Sequence, residues 1–142
     1  MIDQFVGDVM TRSAHTITPE MTACDVASLF AEQNIGSAVV VSSETQTPVG
    51  IVTESDIMHQ VATGADTESV VVDSFLSTSL ITIGSTENIH TAATLMKEHS
   101  IRRLPVVDDG ELVGILTTTD LTHYLPRLRN TILRERSDLA GH

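Results

Sequence analysis

The chain has 142 residues, 41% of them hydrophobic, enough to bury a core in one compact domain or in two small, tightly joined halves. Its formal net charge of −11 repels a phosphate backbone and excludes a general DNA- or RNA-binding role. No apolar run reaches the roughly 18 residues that a membrane span requires, so no membrane partner is expected. Aromatic residues make up only 3% and Trp is absent, so the core must be built from Val, Ile, Leu, Ala and Met.

The opening residues, MIDQFVGDVM, lack both a basic start and an apolar signal core, and a cytoplasmic location is expected. Basic residues are skewed to seven arginines and a single lysine, Lys97. Acidic excess with so little lysine matches the proteins of salt-loving microbes, in which high salt screens carboxylate repulsion; ordinary variation in surface charge is the plainer alternative. Cys24 is the only cysteine, which rules out an internal disulfide and a zinc cluster; among Ala and Val it reads as a small buried packing residue.

In chain order, Thr16-Ile17-Thr18 is a short extended piece. A helix follows, with Thr22 and Asp25 at capping-box spacing and Val26, Leu29, Phe30 and Gln33 at helical spacing. Ser37 to Val41 reads as a buried strand, Pro48 as part of a turn, and Val49 to Val52 as the second arm of a hairpin. A helix then starts at Thr53 to Asp56. The same order returns: Leu80 to Ile83 extended, and a helix opened by Ser85 or Thr86 with the stripe Ile89, Ala92, Ala93 and Met96. A strand over Leu104 to Val107, a turn at Asp109-Gly110, a strand over Leu112 to Leu116 and a helix from Thr117 to Asp120 complete the second copy.

The two copies align by a shift of 66, which places Thr16-Ile17 on Thr82-Ile83, Ala27 on Ala93, Leu29 on Leu95, Ile35 on Ile101 and Val40-Val41 on Val106-Val107. After a first-copy loop two residues longer the shift becomes 64. Val49-Gly50-Ile51 then falls on Val113-Gly114-Ile115, Thr53 on Thr117 and Asp56 on Asp120. The fold class is therefore α+β, a tandem duplication of β-α-β-β-α, with a first repeat over 1–66 and a second over 67–142. Beyond it, Leu125, Leu128, Ile132 and Leu133 form an apolar stripe interrupted by Pro126. The stripe either covers the core or serves an oligomer interface.

Each copy closes its hairpin with the same motif, GIVTESD (50–56) and GILTTTD (114–120). Thr-x-x-Asp is a capping box, and Gly50 and Gly114 permit close backbone packing; that alone accounts for the motif. A helix N-terminus also suits a phosphate, and a carboxylate suits the paired hydroxyls of a ribose. The histidines are scattered without metal-ligand spacing, and no nucleophile-base set is present, so neither metal, cofactor nor catalysis is expected.

The duplicated motif, together with Ile101-Arg102-Arg103-Leu104-Pro105-Val106-Val107-Asp108, resembles the cystathionine-beta-synthase (CBS) domain family, in which a free-standing tandem pair is called a Bateman module. The resemblance covers nearly the whole chain. It implies two repeats packed through their sheets around a pseudo-two-fold axis, a disc-shaped homodimer with helix faces apposed, and a regulatory module that binds AMP, ADP or ATP in the cleft between repeats. Carried over, Asp56 and Asp120 bind ribose, while Thr53, Ser55, Thr117 and Thr119 meet phosphate. The adenine slot falls on Thr16, Ile17, Thr18, Ser37 and Ala38 in one copy and on Thr82, Ile83, Leu104 and Pro105 in the other. Carried over in the same way, Arg102 and Arg103 contact phosphate, Arg103 at the Asp56 site and Arg102 at either; two surface arginines neutralising an acidic protein is the plainer alternative. Copy one has Gly36-Ser37 instead, so unequal sites are expected. The regulated protein partner is not specified. The alternatives are a ligand-free interaction and dimerisation scaffold, and a sensor of S-adenosylmethionine.

Overall fold

The computed structural model describes residues 4–12 and 14–123. The expected stripe at Leu125, Leu128, Ile132 and Leu133 and the interruption at Pro126 lie outside the described residues. In order, the elements are α1 (Val6–Val9), β1 (Thr16–Ile17), α2 (Ala23–Gln33), β2 (Ser37–Val41), β3 (Pro48–Thr53), α3 (Glu54–Ala62), a 3-10 turn (Val72–Ser74), α4 (Ile89–His99), β4 (Arg103–Asp108) and β5 (Glu111–Thr117). Residues 118–123 are helical. Among the described residues no helix is long and apolar enough to cross a membrane.

The chain forms two compact units. The first comprises residues 14–81 with 109–112, and the second residues 4–12, 82–108 and 113–123. The sequence repeats and the compact units differ in one respect, the ownership of the lead-ins. The segment before the second repeat folds onto the first: Ala23 N donates to Val70 O, Val72 N to Met21 O, and Asp73 N to Pro19 O. The segment before the first repeat folds onto the second through the equivalent bonds, Ile89 N to Gln4 O, Val6 N to Glu87 O, and Gly7 N to Ser85 O. Every one of these pairs is related by the 66-residue shift. Val72 and Val6, each fully buried, are the apolar pegs of the exchanged segments.

In the first unit the sheet order is β1-β2-β3, with β1 parallel and β3 antiparallel to the central β2. Residues 38–41 of β2 are all buried, which explains why its sequence AVVV is apolar at every position rather than at alternate ones. α2 covers one face. Thr22 Oγ1 accepts from Asp25 N at 3.1 Å and Thr22 N donates to Asp25 Oδ2 at 3.0 Å, the expected capping box. Val26 and Phe30 join Ile17, Ala38, Val40, Val52 and Val72 in one buried cluster, against which Leu29 packs half-buried; Gln33 is exposed. The helix ends on Asn34 in the left-handed region, with Ile35 N returning to Phe30 O at 3.0 Å. Ser100 and the bond from Ile101 N to Met96 O repeat that ending in α4.

Four local expectations change. The first hairpin turns at Ser42–Thr47, where Ser42 N donates to Thr47 O and Gln46 takes φ 60. Pro48 instead opens β3, a strand-start position at which its missing N–H costs no interior ladder bond. α4 is capped by Asn88, the position equivalent to Thr22 under the 66-residue shift, whose side chain accepts from His90 N at 2.7 Å; Ser85 and Thr86 lie in the preceding turn, and Ser85 bonds the Asp108 carboxylate instead. Ala93 is exposed, so the buried stripe of α4 is the narrower Ile89, Ala92 and Met96. Cys24 is half-buried rather than buried. The second hairpin does turn at Asp109 and Gly110, both at positive φ, the signature of a two-residue type I′ connection.

Candidate functional site

Each repeated motif runs from the end of a strand into the first turn of a helix. In the first unit Thr53 caps α3: Thr53 N donates to Asp56 Oδ2 at 2.8 Å, Thr53 Oγ1 donates to the same oxygen at 3.1 Å, and Asp56 N donates back to Thr53 Oγ1 at 3.4 Å. In the second unit Thr117 N donates to Asp120 Oδ2 at 2.9 Å and Asp120 N to Thr117 Oγ1 at 3.1 Å. The capping reading of Thr-x-x-Asp is therefore correct in both copies.

What each cap leaves unused defines the site. A helix begins with four amides lacking intrahelical acceptors. Here the amide of residue 54 donates to Gly36 O at 3.0 Å, that of residue 118 to Arg102 O at 3.0 Å, and those of residues 56 and 120 to the capping hydroxyls. Among the described hydrogen bonds, the amides and hydroxyls of Ser55 and Thr119 have no partner, and both residues are exposed. Each motif thus presents an amide and a hydroxyl from one residue, beside a half-buried carboxylate one position on. A hydroxyl with a helix N-terminal amide is suited to an anionic oxygen, and a carboxylate to paired hydroxyls.

Other candidate residues divide by burial. Ile17, Ala38, Leu104 and Pro105 are buried in the cores of their own units, and Ile83 nearly so. Thr16 pairs with Val39 across the parallel ladder and is exposed, as is Thr82; Thr18 and Ser37 are half-buried, with Ser37 paired to Thr53. The polar members of the two rows are therefore the accessible ones. Arg103 opens β4, half-buried, and Arg102 is exposed just before it. Among the described residues neither arginine forms an ion pair. Arg102 carries the carbonyl that holds the second motif's helix, and Gly36 does the same for the first. The inequality between Gly36-Ser37 and Arg102-Arg103 thus lies beside the motif of its own unit.

Two features escape the sequence patterns. The motif glycines face the exchanged lead-ins: an added Cβ at Gly50 would meet Leu76 Cδ1 and lie 2.5 Å from Ser77 O, and one at Gly114 would lie 2.8 Å from Met10 Sδ and 2.8 Å from Thr11 O. The second is Thr11, whose hydroxyl donates to Asp120 Oδ1 at 3.2 Å. The 66-residue shift, extended upstream, maps Met10-Thr11 onto Leu76-Ser77 and was the signal available for both. Among the described residues no group of three or more His, Cys, Asp and Glu is placed to hold a metal.

Comparison with known proteins agrees with this architecture. The CBS domain family profile matches residues 6–63 and 72–127. The chain is 38% identical over 132 residues to an uncharacterized protein of Methanopyrus kandleri, covering 92% of this chain and 67% of that one. It is 37% identical over 117 residues to the CBS domain-containing protein YhcV of Bacillus subtilis, covering 82% and 81%. Among solved structures, a CBS domain protein from Pyrobaculum aerophilum complexed with AMP superposes with a TM-score of 0.77 at 31% identity, covering 83% of this chain and 90% of that one. Two profile matches that together span most of the chain, on an α+β duplication with the corresponding element order, establish that the chain belongs to the CBS domain family.

Proposed function

We propose that the protein is a regulatory module that binds an adenine nucleotide at its motif helices and performs no chemistry of its own. The observation that carries this is the unspent amide and hydroxyl of Ser55 and of Thr119, each next to a carboxylate, Asp56 or Asp120. That set suits the phosphate and ribose of one nucleotide, and the AMP complex of the Pyrobaculum relative supports it. One amide and one hydroxyl per motif make a small phosphate cradle, so AMP is the favoured ligand. Arg102 and Arg103 add charge for ADP or ATP. Binding favours one arrangement of the protein, which a regulated partner reads; this requires different affinity for the alternative arrangements.

A thermal-shift series with AMP, ADP, ATP, GTP and S-adenosylmethionine, at low and high salt, tests the proposal. AMP is expected to raise the melting temperature in step with its concentration, by the equivalent of about 2.7 kcal/mol at a hundred times Kd. Arg103→Ala is expected to weaken ATP more than AMP. No shift with any nucleotide would leave the scaffold alternative standing, and a shift with S-adenosylmethionine alone would replace the ligand.

We also propose that the protein is a homodimer joined through helix faces. On α3, Met58 and Val61 are 68% and 61% exposed, three positions apart and so on one face. Self-association is the common way to cover such a face.

A further inference from the structure

The two motifs are not equally open, and the difference comes from the exchanged lead-ins. The backbone of Thr11 is pinned to the second unit by reciprocal bonds with Ile115, Thr11 N to Ile115 O at 2.8 Å and Ile115 N to Thr11 O at 2.9 Å. Its hydroxyl then lies 3.2 Å from Asp120 Oδ1 and 3.5 Å from Asp120 Oδ2, straddling the two carboxylate oxygens. In the first unit the equivalent residue, Ser77, is pinned identically to Ile51, with bonds of 3.0 and 3.1 Å. Yet among the described residues Ser77 makes no hydrogen bond to Asp56, whose Oδ1 accepts nothing; only Oδ2 is used, by Thr53.

A vicinal diol grips a carboxylate by placing one hydroxyl on each oxygen. Thr11 sits across that same pair, so at Asp120 the diol meets a donor already in place. We propose that Thr11 is a built-in competitor that holds the second motif closed to a ribose, so that the Asp56 motif fills first and the Asp120 motif only after the Thr11 side chain turns away. The backbone need not move, because its two bonds to Ile115 are independent of χ1. This regulation of the second site rests on the ribose role of Asp56 and Asp120 proposed above.

The experiment is calorimetric titration of AMP into the full chain and into Thr11→Val, which replaces the hydroxyl by a methyl group of similar volume. The expected result is two unequal classes of site in the natural protein, with the weaker class tightened roughly 3- to 10-fold in Thr11→Val, the range of one net hydrogen bond. Thr11→Ala should act in the same direction and serves if the valine variant misfolds. Thr11→Ser should retain the natural profile, Ser77→Val should leave it unchanged, and Asp120→Asn should abolish the gain. Unchanged or weakened binding in both Thr11→Val and Thr11→Ala, with Asp120→Asn still reducing AMP binding, would overturn the competitor while sparing the nucleotide proposal. If neither Asp56→Asn nor Asp120→Asn altered AMP binding, the ribose assignment would fail and the competitor with it.

Discussion

At Gly50 the carbonyl of Ser77 occupies the space where any other residue would carry its Cβ, and at Gly114 the carbonyl of Thr11 does so. Both obstacles are backbone, held by paired bonds to Ile51 and Ile115, and cannot be swung aside like the end of a side chain. Gly50→Ala is therefore expected to cost about 1–3 kcal/mol, the usual range for overpacking. Gly64 is the control. It takes φ +80 but has nothing within 4 Å of an added Cβ. Gly64→Ala should cost only the left-handed conformation, about 1–2 kcal/mol, with no change in the packing around Leu76. Urea denaturation gives both energies. A methyl NMR shift at Leu76 in Gly50→Ala but not in Gly64→Ala separates the two causes.

At the scale of the element, each unit ties the loop before its first long helix to the chain at the end of the following strand through a hydroxyl and a carboxylate, with the partners exchanged. In the first unit Ser43 Oγ donates to Glu20 at 2.7 Å. In the second, Ser85 donates to Asp108 through both its amide and its hydroxyl. The bond from Ser43 lowers the Glu20 pKa, aided by the backbone amide of Glu20, and the Ser85 hydroxyl and then its amide lower that of Asp108; desolvation opposes both. A depressed folded-state pKa contributes stability that is present above the ordinary carboxylate range and is lost as pH falls through the folded value. Ser85→Ala should raise the Asp108 pKa toward its ordinary value and flatten the loss of stability between about pH 5 and 3. NMR titration of the Asp108 carboxyl carbon reads the first effect, and melting temperature against pH the second. An unmoved Asp108 titration would show that the tie does not set its ionisation.

For the whole molecule, exchange of lead-ins means that neither repeat completes its unit with its own chain segment. Removing residues before Thr16 would unpair Ile115 in the second repeat, although the deletion lies at the start of the first. The exposed face of α3 gives the test of self-association. Sedimentation at micromolar concentration is expected to find a dimer for the natural chain and monomer for Met58→Glu, since a charge at a buried apolar contact is costly unless paired. A natural chain that sediments only as monomer would remove the dimer proposal.

Much of this protein is legible in its sequence because the relevant signals are local or repeated. Thr22, Thr53 and Thr117 with their Asp partners announce their caps, since a capping box is closed within four residues. The continuous AVVV announces a strand buried on both faces, and Asp109-Gly110 its turn. The duplication sets the order of elements, and the shift of 66 fixes which residues are equivalent. Other features depended on which segments meet in space. The start of α4 at Asn88 rather than at Ser85 or Thr86 is one, and the closing of the first hairpin at Ser42–Thr47, ahead of Pro48, is another. The exchange of lead-ins, the crowding over Gly50 and Gly114, and the reach of Thr11 to Asp120 join residues far apart in the chain. No periodicity records such a meeting, because it is decided by packing of apolar pegs such as Val6 and Val72 after the local elements have formed. Sequence by itself determined the Thr-x-x-Asp caps, the repeat and the polar groups each motif carries; tertiary structure alone decided that the Asp120 carboxylate is engaged by Thr11 while, among the described residues, Asp56 is held only by its own cap.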